Sequence, residues 1–225
     1  MAETAYASGN IRQRPLVIHN GVDTEKFKPR NKHEIRRHLG LPVDRKVVVL
    51  LAHNLEDPRK GVHYAVDALK SVKASLNPFI LAIGQKSSHF IEAISDFDHS
   101  VSGYVACEEY KSQLYSAADV FLNCSLADNL PLVVLETAAC GVPTVGFATG
   151  GIPEIVEQNG SGYLAPMFDA KSLTEALDMS LSGDVAGKWG ARARQIAENE
   201  FSFERLYERH LTTYEQCVEK FKKAR

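Results

Sequence analysis

Short apolar runs alternate with segments of helical periodicity along most of this chain. Continuous apolar runs such as "KVVVLLA", which is rich in β-branched valine, and "FILAIG" are typical of strands that are buried on both faces of a sheet. Between such runs, apolar side chains recur every three or four residues, which is the spacing of one helical face. The predicted strands cover residues 16–20, 46–52, 79–84, 101–105, 119–125, 143–147 and 162–165.

The predicted helices lie between these strands and after the last of them. The stretch "NKHEIRRHLG" opens on a capping asparagine, has a glutamate three residues later and closes on glycine. The predicted helices cover residues 31–40, 61–74, 108–118, 131–140, 153–158, 169–182, 187–200 and 202–222. Strands that alternate with helices form parallel sheets with right-handed crossovers. The pattern therefore predicts one α/β domain, a doubly wound, Rossmann-like parallel sheet of about six or seven strands with C-terminal helices.

Composition and charge narrow the class of protein. The chain has 225 residues and a net charge of −2, so bulk charge gives no attraction for nucleic acid. No apolar segment approaches the roughly 20 residues that span a bilayer, and the first ten residues lack the pattern of a signal peptide. Cys124 and Cys140 sit in apolar runs, where buried free thiols are expected. We therefore expect a cytoplasmic protein with no nucleic-acid partner and no transmembrane segment.

In an open α/β sheet, ligands bind outside the carboxyl ends of the strands. After the strand that ends near residue 52, Arg59 and Lys60 precede Gly61, where a helix is predicted to begin. The N–H groups at a helix start favour an anion, and the two cations strengthen that preference. A phosphate is the natural ligand of such a site. The alternative is a solvated basic pair at a turn.

A second candidate element is "DNLPLVVLE", which follows the predicted strand 119–125. Because Pro131 starts a helix, the N–H groups of Leu132 and Val133 are free donors. Glu136 lies in an apolar stretch, where a carboxylate is costly unless it is paired, and the vicinal hydroxyls of a ribose fit its two oxygens. In the alternative interpretation, Asp128 is a helix cap and Glu136 is a half-exposed helix residue.

Two weaker candidates involve glycines. Gly103 and Tyr104 could line a flat slot for a nucleobase, although an aromatic residue on a strand is more often part of the core. Gly150 and Gly151 would let the backbone approach another group closely, or they simply form a turn.

Taken together, these stretches resemble the carboxyl-terminal domain of GT-B-fold retaining glycosyltransferases, specifically glycosyltransferase family 4. The matching pieces follow the order of that family and extend over roughly residues 15–215. They are "VIHNGVDTEKFKP" (17–29), "DPRKG" (57–61), "YSAADVFLNCS" (115–125), "DNLPLVVLETAACGVPTVGFATGGIPEIV" (128–156) and "NGSGYLA" (159–165).

The resemblance assigns roles to individual residues of the donor site. Asp128 and Glu136 fill the family's acidic-x7-Glu element, which implies that Glu136 binds the ribose hydroxyls of the donor. Asp128 would lie near the transferred sugar as a catalytic residue. Asn129 and Leu130 would present backbone to the sugar and the phosphates, and Lys60 would bind the diphosphate and assist catalysis.

The chain departs from the family pattern at two positions. The arginine that usually follows the first buried strand is absent from His53-Asn54-Leu55, or Arg59 replaces it. The first acidic residue is Asp128 where the family usually has glutamate, one methylene longer. Both departures put the placement of the sugar in doubt more than the binding of the nucleotide.

The implied function is that of a donor-binding half, which moves a hexose from a nucleoside diphosphate sugar to a glycan or lipid-linked acceptor with retention. The donor, UDP- or GDP-linked, is a substrate, and no metal or other cofactor is expected. Arg59, Lys60 and the helix start at Pro131 would stabilise the charge that develops on the leaving diphosphate. The alternative is a non-catalytic nucleotide-sugar-binding module or the subunit of a split enzyme.

The resemblance also implies a domain organisation. Residues 1–14 are expected to be a linker remnant, residues 15–200 the nucleotide-sugar-binding domain, and residues 201–225 a helix that would pack on a missing N-terminal acceptor domain. The isolated chain would then bind nucleotide without catalysing transfer. Homodimerisation through the exposed interface, and peripheral association of the full-length enzyme with a membrane, stay open.

Overall fold

The computed structural model describes residues 2–54, 57–85 and 87–223, without the side chains of Thr4 and residues 52–54. Within these residues, parallel strands form a single six-stranded sheet of order β3-β2-β1-β4-β5-β6. The strands are β1 (Val47–Asn54), β2 (Phe79–Gln85), β3 (His99–Val101), β4 (Val120–Asn123), β5 (Thr144–Phe147) and β6 (Gly162–Ala165). The strand order reverses between β1 and β4, and a crevice opens beside such a reversal.

Helices surround the sheet. They are α1 (Ala2–Ala7), α2 (Lys32–Leu39), α3 (Val62–Leu76), α4 (Ser88–Ala93), α5 (Glu108–Ala117), α6 (Leu132–Ala139), α7 (Ala170–Leu181), α8 (Val185–Phe201) and α9 (Phe203–Lys223). Short 3₁₀ turns occupy Pro58–Lys60 and Ile152–Glu154.

The sheet separates two apolar cores. Val48 and Leu50 of β1 face one core with α3, α4 and α7, whereas Val47 and Val49 face the other with α5 and α6. Helix α8 contributes side chains to both cores. Because the inner strands are covered on both faces, their sequences are predominantly apolar. The prediction of a doubly wound, Rossmann-like parallel sheet with C-terminal helices is confirmed.

Several predicted elements differ from the structure. The strand predicted over 16–20 is wrong, because this segment pairs with no strand of the described sheet and Leu16 is 67% exposed. The helix predicted over 153–158 is a single 3₁₀ turn, and the strand predicted over 101–105 ends at Val101. Helix α4 has no counterpart in the prediction, and part of the expected linker remnant is the helix α1.

Helix α2 begins and ends as its sequence predicts. The side-chain oxygen of Asn31 accepts hydrogen bonds from the N–H groups of His33 and Glu34. Gly40 ends the helix in the left-handed conformation, with φ of 69°. Asn31 therefore satisfies two N–H groups at the helix start, and glycine accepts the closing conformation at low cost.

A buried ionic cluster attaches α2 to the sheet. The carboxylate of Asp119 accepts hydrogen bonds from Arg36 at 2.6 Å, from Lys32 at 2.9 Å and from the N–H of Val47 at 2.7 Å. Burial alone raises the pKa of Asp119, but the two cations and the N–H group outweigh this and hold it below its ordinary value. The Arg36 side chain is 5% exposed, so Asp119 neutralises a charge with almost no access to water.

Helix α9 carries an exposed apolar stripe. Its members recur every three or four residues and are 38–63% exposed: Phe203, Tyr207, Leu211, Tyr214, Val218 and Phe221. No residue of this helix is buried. Among the described helices, none has the length and apolarity needed to cross a bilayer. Elsewhere in the fold, Cys124 and Cys140 are buried free thiols, as expected.

Candidate functional site

The loops that follow β1 and β4 are joined by their backbones. The N–H of Leu126 donates to the carbonyl oxygen of Arg59 at 2.7 Å. Gly61 has φ of 58° and lies so close to β4 that a Cβ on it would overlap the carbonyl oxygen of Cys124. Glycine is therefore required for both the conformation and the close approach. The contact brings the basic turn to the reversal of strand order, where an α/β sheet binds its ligands.

The structure brings Lys60 and Asp128 together across this reversal. The Lys60 Nζ lies 2.9 Å from Asp128 Oδ2, and both side chains are partly buried. Arg59 instead points to Asp57, at 2.7 Å, and its side chain is 76% exposed. The hydrogen bonds from Arg59 hold the pKa of Asp57 below its ordinary value. Of the two predicted cations, only Lys60 thus contacts an acidic residue of the "DNLPLVVLE" stretch.

A third loop packs on the Asp128 region. A Cβ on Gly150 would overlap the carbonyl oxygen of Asp128, and the N–H of Gly151 donates to the carbonyl oxygen of Asn129 at 2.5 Å. The two glycines therefore do allow a close backbone approach, and its partner is the loop 128–130. A cavity of about 230 Å³ opens beside them, and Asn129, Leu130, His19 and Glu154 are among its lining residues.

The side chain of Glu136 is only 14% exposed, and helix α5 supplies two donors for its carboxylate. Lys111 Nζ lies 3.3 Å from Oε1, and the hydroxyl of Tyr115 donates to Oε2 at 3.0 Å. Burial and the nearby Glu136 charge raise the pKa of Tyr115, so this hydroxyl keeps its proton. The cost of a carboxylate in this apolar stretch is offset by a cation and a neutral donor.

Glu136 also lines a cavity of about 260 Å³ at the carboxyl edge of β1 and β2. Its other lining residues are Leu51, Ile83, Gly84, Tyr104, Val105, Lys111, Tyr115, Leu132 and Val133. The walls are therefore mostly apolar, and Glu136 and Lys111 supply charge at one side. Such a cavity can accept a flat, largely apolar group with hydroxyls at one end.

The predicted site residues thus divide into groups. Tyr104, Leu132, Val133 and Glu136 line the cavity beside β1 and β2, while Asn129 and Leu130 line the cavity beside Gly150. Lys60 and Asp128 line neither of these two cavities and pair with each other. Gly103 directly precedes Tyr104 in the chain, has φ of 70° and has open space where a Cβ would lie.

Several alternative interpretations of single residues are wrong. Asp128 does not cap α6, since Pro131 occupies the cap position and no described side chain bonds there. Glu136 is not half exposed, and Tyr104 is 68% exposed and so is not a core residue. An arginine is absent from His53-Asn54-Leu55 in the sequence. Leu55 and the side chains of His53 and Asn54 lie outside the described part of the chain.

The arrangement offers a cation beside a carboxylate, an uncapped helix start and a partly buried acid at the rim of an apolar cavity. These groups suit a ligand with an anionic centre and hydroxyls. Within the described ranges, no group of three or more histidine, cysteine, aspartate or glutamate residues is placed to hold a metal ion.

A comparison with known protein families shows to which family the chain belongs. The family described as "Glycosyl transferases group 1" matches residues 45–182, which contain the whole of this site from Lys60 to Glu136. The chain belongs to this family.

Curated glycosyltransferases resemble the chain over most of its length. D-inositol 3-phosphate glycosyltransferase of Mycobacterium bovis is 28% identical over 212 residues, which are 90% of this chain and 44% of that protein. This chain spans about half the length of the curated relatives it matches.

Solved structures share the fold. Anabaena Alr3699/HepE, in complex with UDP and glucose, superposes on this chain with a TM-score of 0.80 at 21% sequence identity. The superposition covers 95% of this chain and 60% of the Alr3699/HepE chain. The C-terminal domain of the glycosyl transferase group 1 protein LpcC from Francisella tularensis gives 0.70 at 18% identity, covering 81% of this chain and 99% of its own. The chain therefore has the Rossmann-like fold of a C-terminal domain in this class of protein.

Two site residues of this group 1 chain were not predicted from the sequence. Lys111 and Tyr115 lie four residues apart on α5, a spacing that places both on one helical face. That spacing was visible, but it did not show which neighbouring element the face meets. The contact with Glu136 depends on how α5 and α6 sit on the sheet.

Proposed function

We propose that this chain is the donor-binding half of a glycosyltransferase, which moves a hexose from a nucleoside diphosphate sugar to a glycan or lipid-linked acceptor with retention. The observation that carries the proposal is the pairing of Lys60 with Asp128 at the reversal of strand order, in the loop that leads into α6 and its cavity-lining Glu136. Family membership supports the reaction class, and the UDP complex of Alr3699/HepE supports a nucleotide ligand for this fold.

In the proposed complex, the nucleoside occupies the cavity between Tyr104 and Glu136. The apolar walls would receive the base, and the carboxylate would accept hydrogen bonds from the two ribose hydroxyls. Tyr104 lines this cavity and is exposed, with Gly103 directly before it, so its aromatic ring can lie against a nucleobase. Leu132 and Val133, at the start of α6, also line the cavity.

The diphosphate would lie between Lys60 and the uncapped start of α6. A lysine and a helix start both stabilise the negative charge that develops as the glycosidic bond breaks. Arg59 would reach the phosphates only after leaving Asp57, its partner in this structure. The donor is a substrate, and we propose that departure of the diphosphate needs no metal or other cofactor.

The sugar would face Asp128, Asn129 and Leu130. Asp128 is the proposed catalytic residue beside the transferred sugar, and its carboxylate pairs with Lys60. The acceptor site would come from an N-terminal domain on the other side of the cleft. The exposed apolar stripe of α9 supports docking of such a domain, so the chain alone would bind donor without transferring sugar.

Calorimetric titration of the chain with UDP, GDP and ADP tests the proposal. We expect one diphosphate to bind, and we expect Lys60→Ala and Glu136→Ala each to weaken binding by about 1–3 kcal/mol, the value of a lost hydrogen bond to a charged group. Lys171→Ala and Glu175→Ala are matched controls, because they remove the same charges from an exposed ion pair on α7. The proposal is wrong if no diphosphate binds, or if the site variants bind as tightly as the controls.

A further inference from the structure

Contacts with two neighbouring side chains fix the orientation of the Glu136 carboxylate. Lys111 approaches one of its oxygens and the Tyr115 hydroxyl donates to the other, and both donors come from α5. A carboxylate has about four lone-pair positions, so each oxygen keeps acceptor capacity for one more donor. Two partners on different oxygens restrict rotation about the bond that carries the carboxylate.

Tyr115 is itself held firmly. Its side chain is 1% exposed, and its ring stacks on that of Phe27 with 6.1 Å between the centroids. A buried ring in contact with its neighbours keeps one rotamer. The hydroxyl therefore stays at the same place beside Glu136.

The ring of Phe27 also contacts Lys111. Its ammonium group lies 5.5 Å from the centroid of Phe27, within the range of a cation–π interaction, while it also approaches Glu136. Phe27 thus contacts both donors of the carboxylate.

Helix α5 is fixed to the entry segment (residues 22–30) at two further points. Ser112 donates to the carbonyl oxygen of Lys26 at 2.8 Å, and Ser116 donates to that of Lys28 at 3.0 Å. Both serines are buried. The segment and the helix therefore form one rigid support behind Glu136.

We propose that Tyr115 and Lys111 are positioning residues that aim the Glu136 carboxylate at the two ribose hydroxyls, and that they thereby make the site selective for ribonucleotides over deoxyribonucleotides. The proposal rests on the proposed function, in which Glu136 accepts those hydroxyls. A carboxylate that turns freely could still bind one hydroxyl or attract water. Only a fixed carboxylate binds both hydroxyls side by side, and loss of one hydroxyl then leaves a lone pair of a partly buried oxygen without a donor.

The test is the ratio of dissociation constants for a deoxy and a ribo ligand. Whichever of UDP and GDP binds is titrated beside its 2′-deoxy counterpart, dUDP or dGDP. We expect the wild-type chain to prefer the ribonucleotide about tenfold, as for one hydrogen bond to a charged group. In Tyr115→Phe, and independently in Lys111→Met, the ratio should fall towards one, chiefly through weaker binding of the ribonucleotide.

The matched control is Tyr163→Phe, which removes a hydroxyl that contacts Ser172 on another part of the fold. This variant should keep the wild-type ratio. Glu136→Gln distinguishes the two proposals, because the ribose role itself predicts that this change lowers the ratio. If Glu136→Gln lowers the ratio and neither α5 variant does, the positioning role is wrong and the ribose role stands. If both ligands weaken equally in the α5 variants, their role is structural and the proposal is also overturned.

Discussion

Replacing Asp119 by alanine is expected to destabilise the chain by about 3–5 kcal/mol, because removal of one partner from a buried ion pair leaves the other charge uncompensated. The stranded charge is Arg36, whose side chain is 5% exposed. The N–H of Val47 at the start of β1 also loses its acceptor. Urea unfolding, followed by circular dichroism, measures the change.

The matched control is Asp98→Ala. Asp98 pairs with Arg45, but its side chain is 72% exposed, so this substitution should cost less than about 1 kcal/mol. Equal destabilisation by the two substitutions would contradict the importance of burial at Asp119.

The same cluster gives a pH dependence. The pKa of Asp119 is held below its ordinary value of 3.8, so its ionised form is favoured by folding. Its contribution to stability is therefore complete above the unfolded pKa and is lost as the pH falls through the folded pKa. We expect the stability difference between the wild-type chain and Asp119→Asn to be constant near neutral pH and to shrink only below about pH 4. A difference that shrinks already between pH 7 and pH 5 would contradict this assignment.

Gly61→Ala is expected to have an effect of similar size, about 3–5 kcal/mol, since it combines backbone strain with a steric overlap. The residue has φ of 58°, and the added methyl group would meet the carbonyl oxygen of Cys124 in the backbone after β4. Backbone on both sides would have to move, because neither atom belongs to a flexible side chain. Thermal unfolding would report the loss of stability.

Comparison with Gly40→Ala separates the cost of the steric overlap from the cost of the backbone strain. Gly40 has a similar φ of 69° and nothing within 4 Å of an added Cβ, so only the left-handed penalty of about 1–2 kcal/mol applies. We also expect Gly61→Ala to separate Lys60 from Asp128 and so to weaken binding of the diphosphate, an effect that Gly40→Ala should lack. Equal unfolding temperatures for the two variants would show that the loops after β1 and β4 separate easily.

The buried strands were predictable because each is a local property of the sequence. β1 and β2 are largely continuous apolar runs, and the two ends of α2 are set by Asn31 and Gly40, which directly flank it. The segment 16–20 has the same local pattern, but a strand also needs a neighbour, and β6 and β3 form the edges of the sheet elsewhere. Helix α4 is short and carries few apolar positions, so its periodicity is weak.

The chemistry of the candidate site was predictable from the sequence, but the side chains that contact Glu136 were not. The pattern around Glu136 indicates a carboxylate that needs a donor, and the loop positions of Lys60 and Asp128 follow from the carboxyl ends of β1 and β4. The pairing of Glu136 with Lys111 and Tyr115 spans more than twenty residues and depends on the order of the strands. Apolar periodicity shows which face of a helix is buried, whereas strand order decides what that face meets.

The backbone links among the three loops of the site also have a kinetic consequence. Arg59 is joined to Leu126, and Asn129 is joined to Gly151, so the described parts of these loops are tied to one another. A diphosphate would therefore meet a rim that is already assembled. Stopped-flow traces should show one phase whose rate constant rises linearly with ligand concentration, without the plateau that a slow isomerisation imposes.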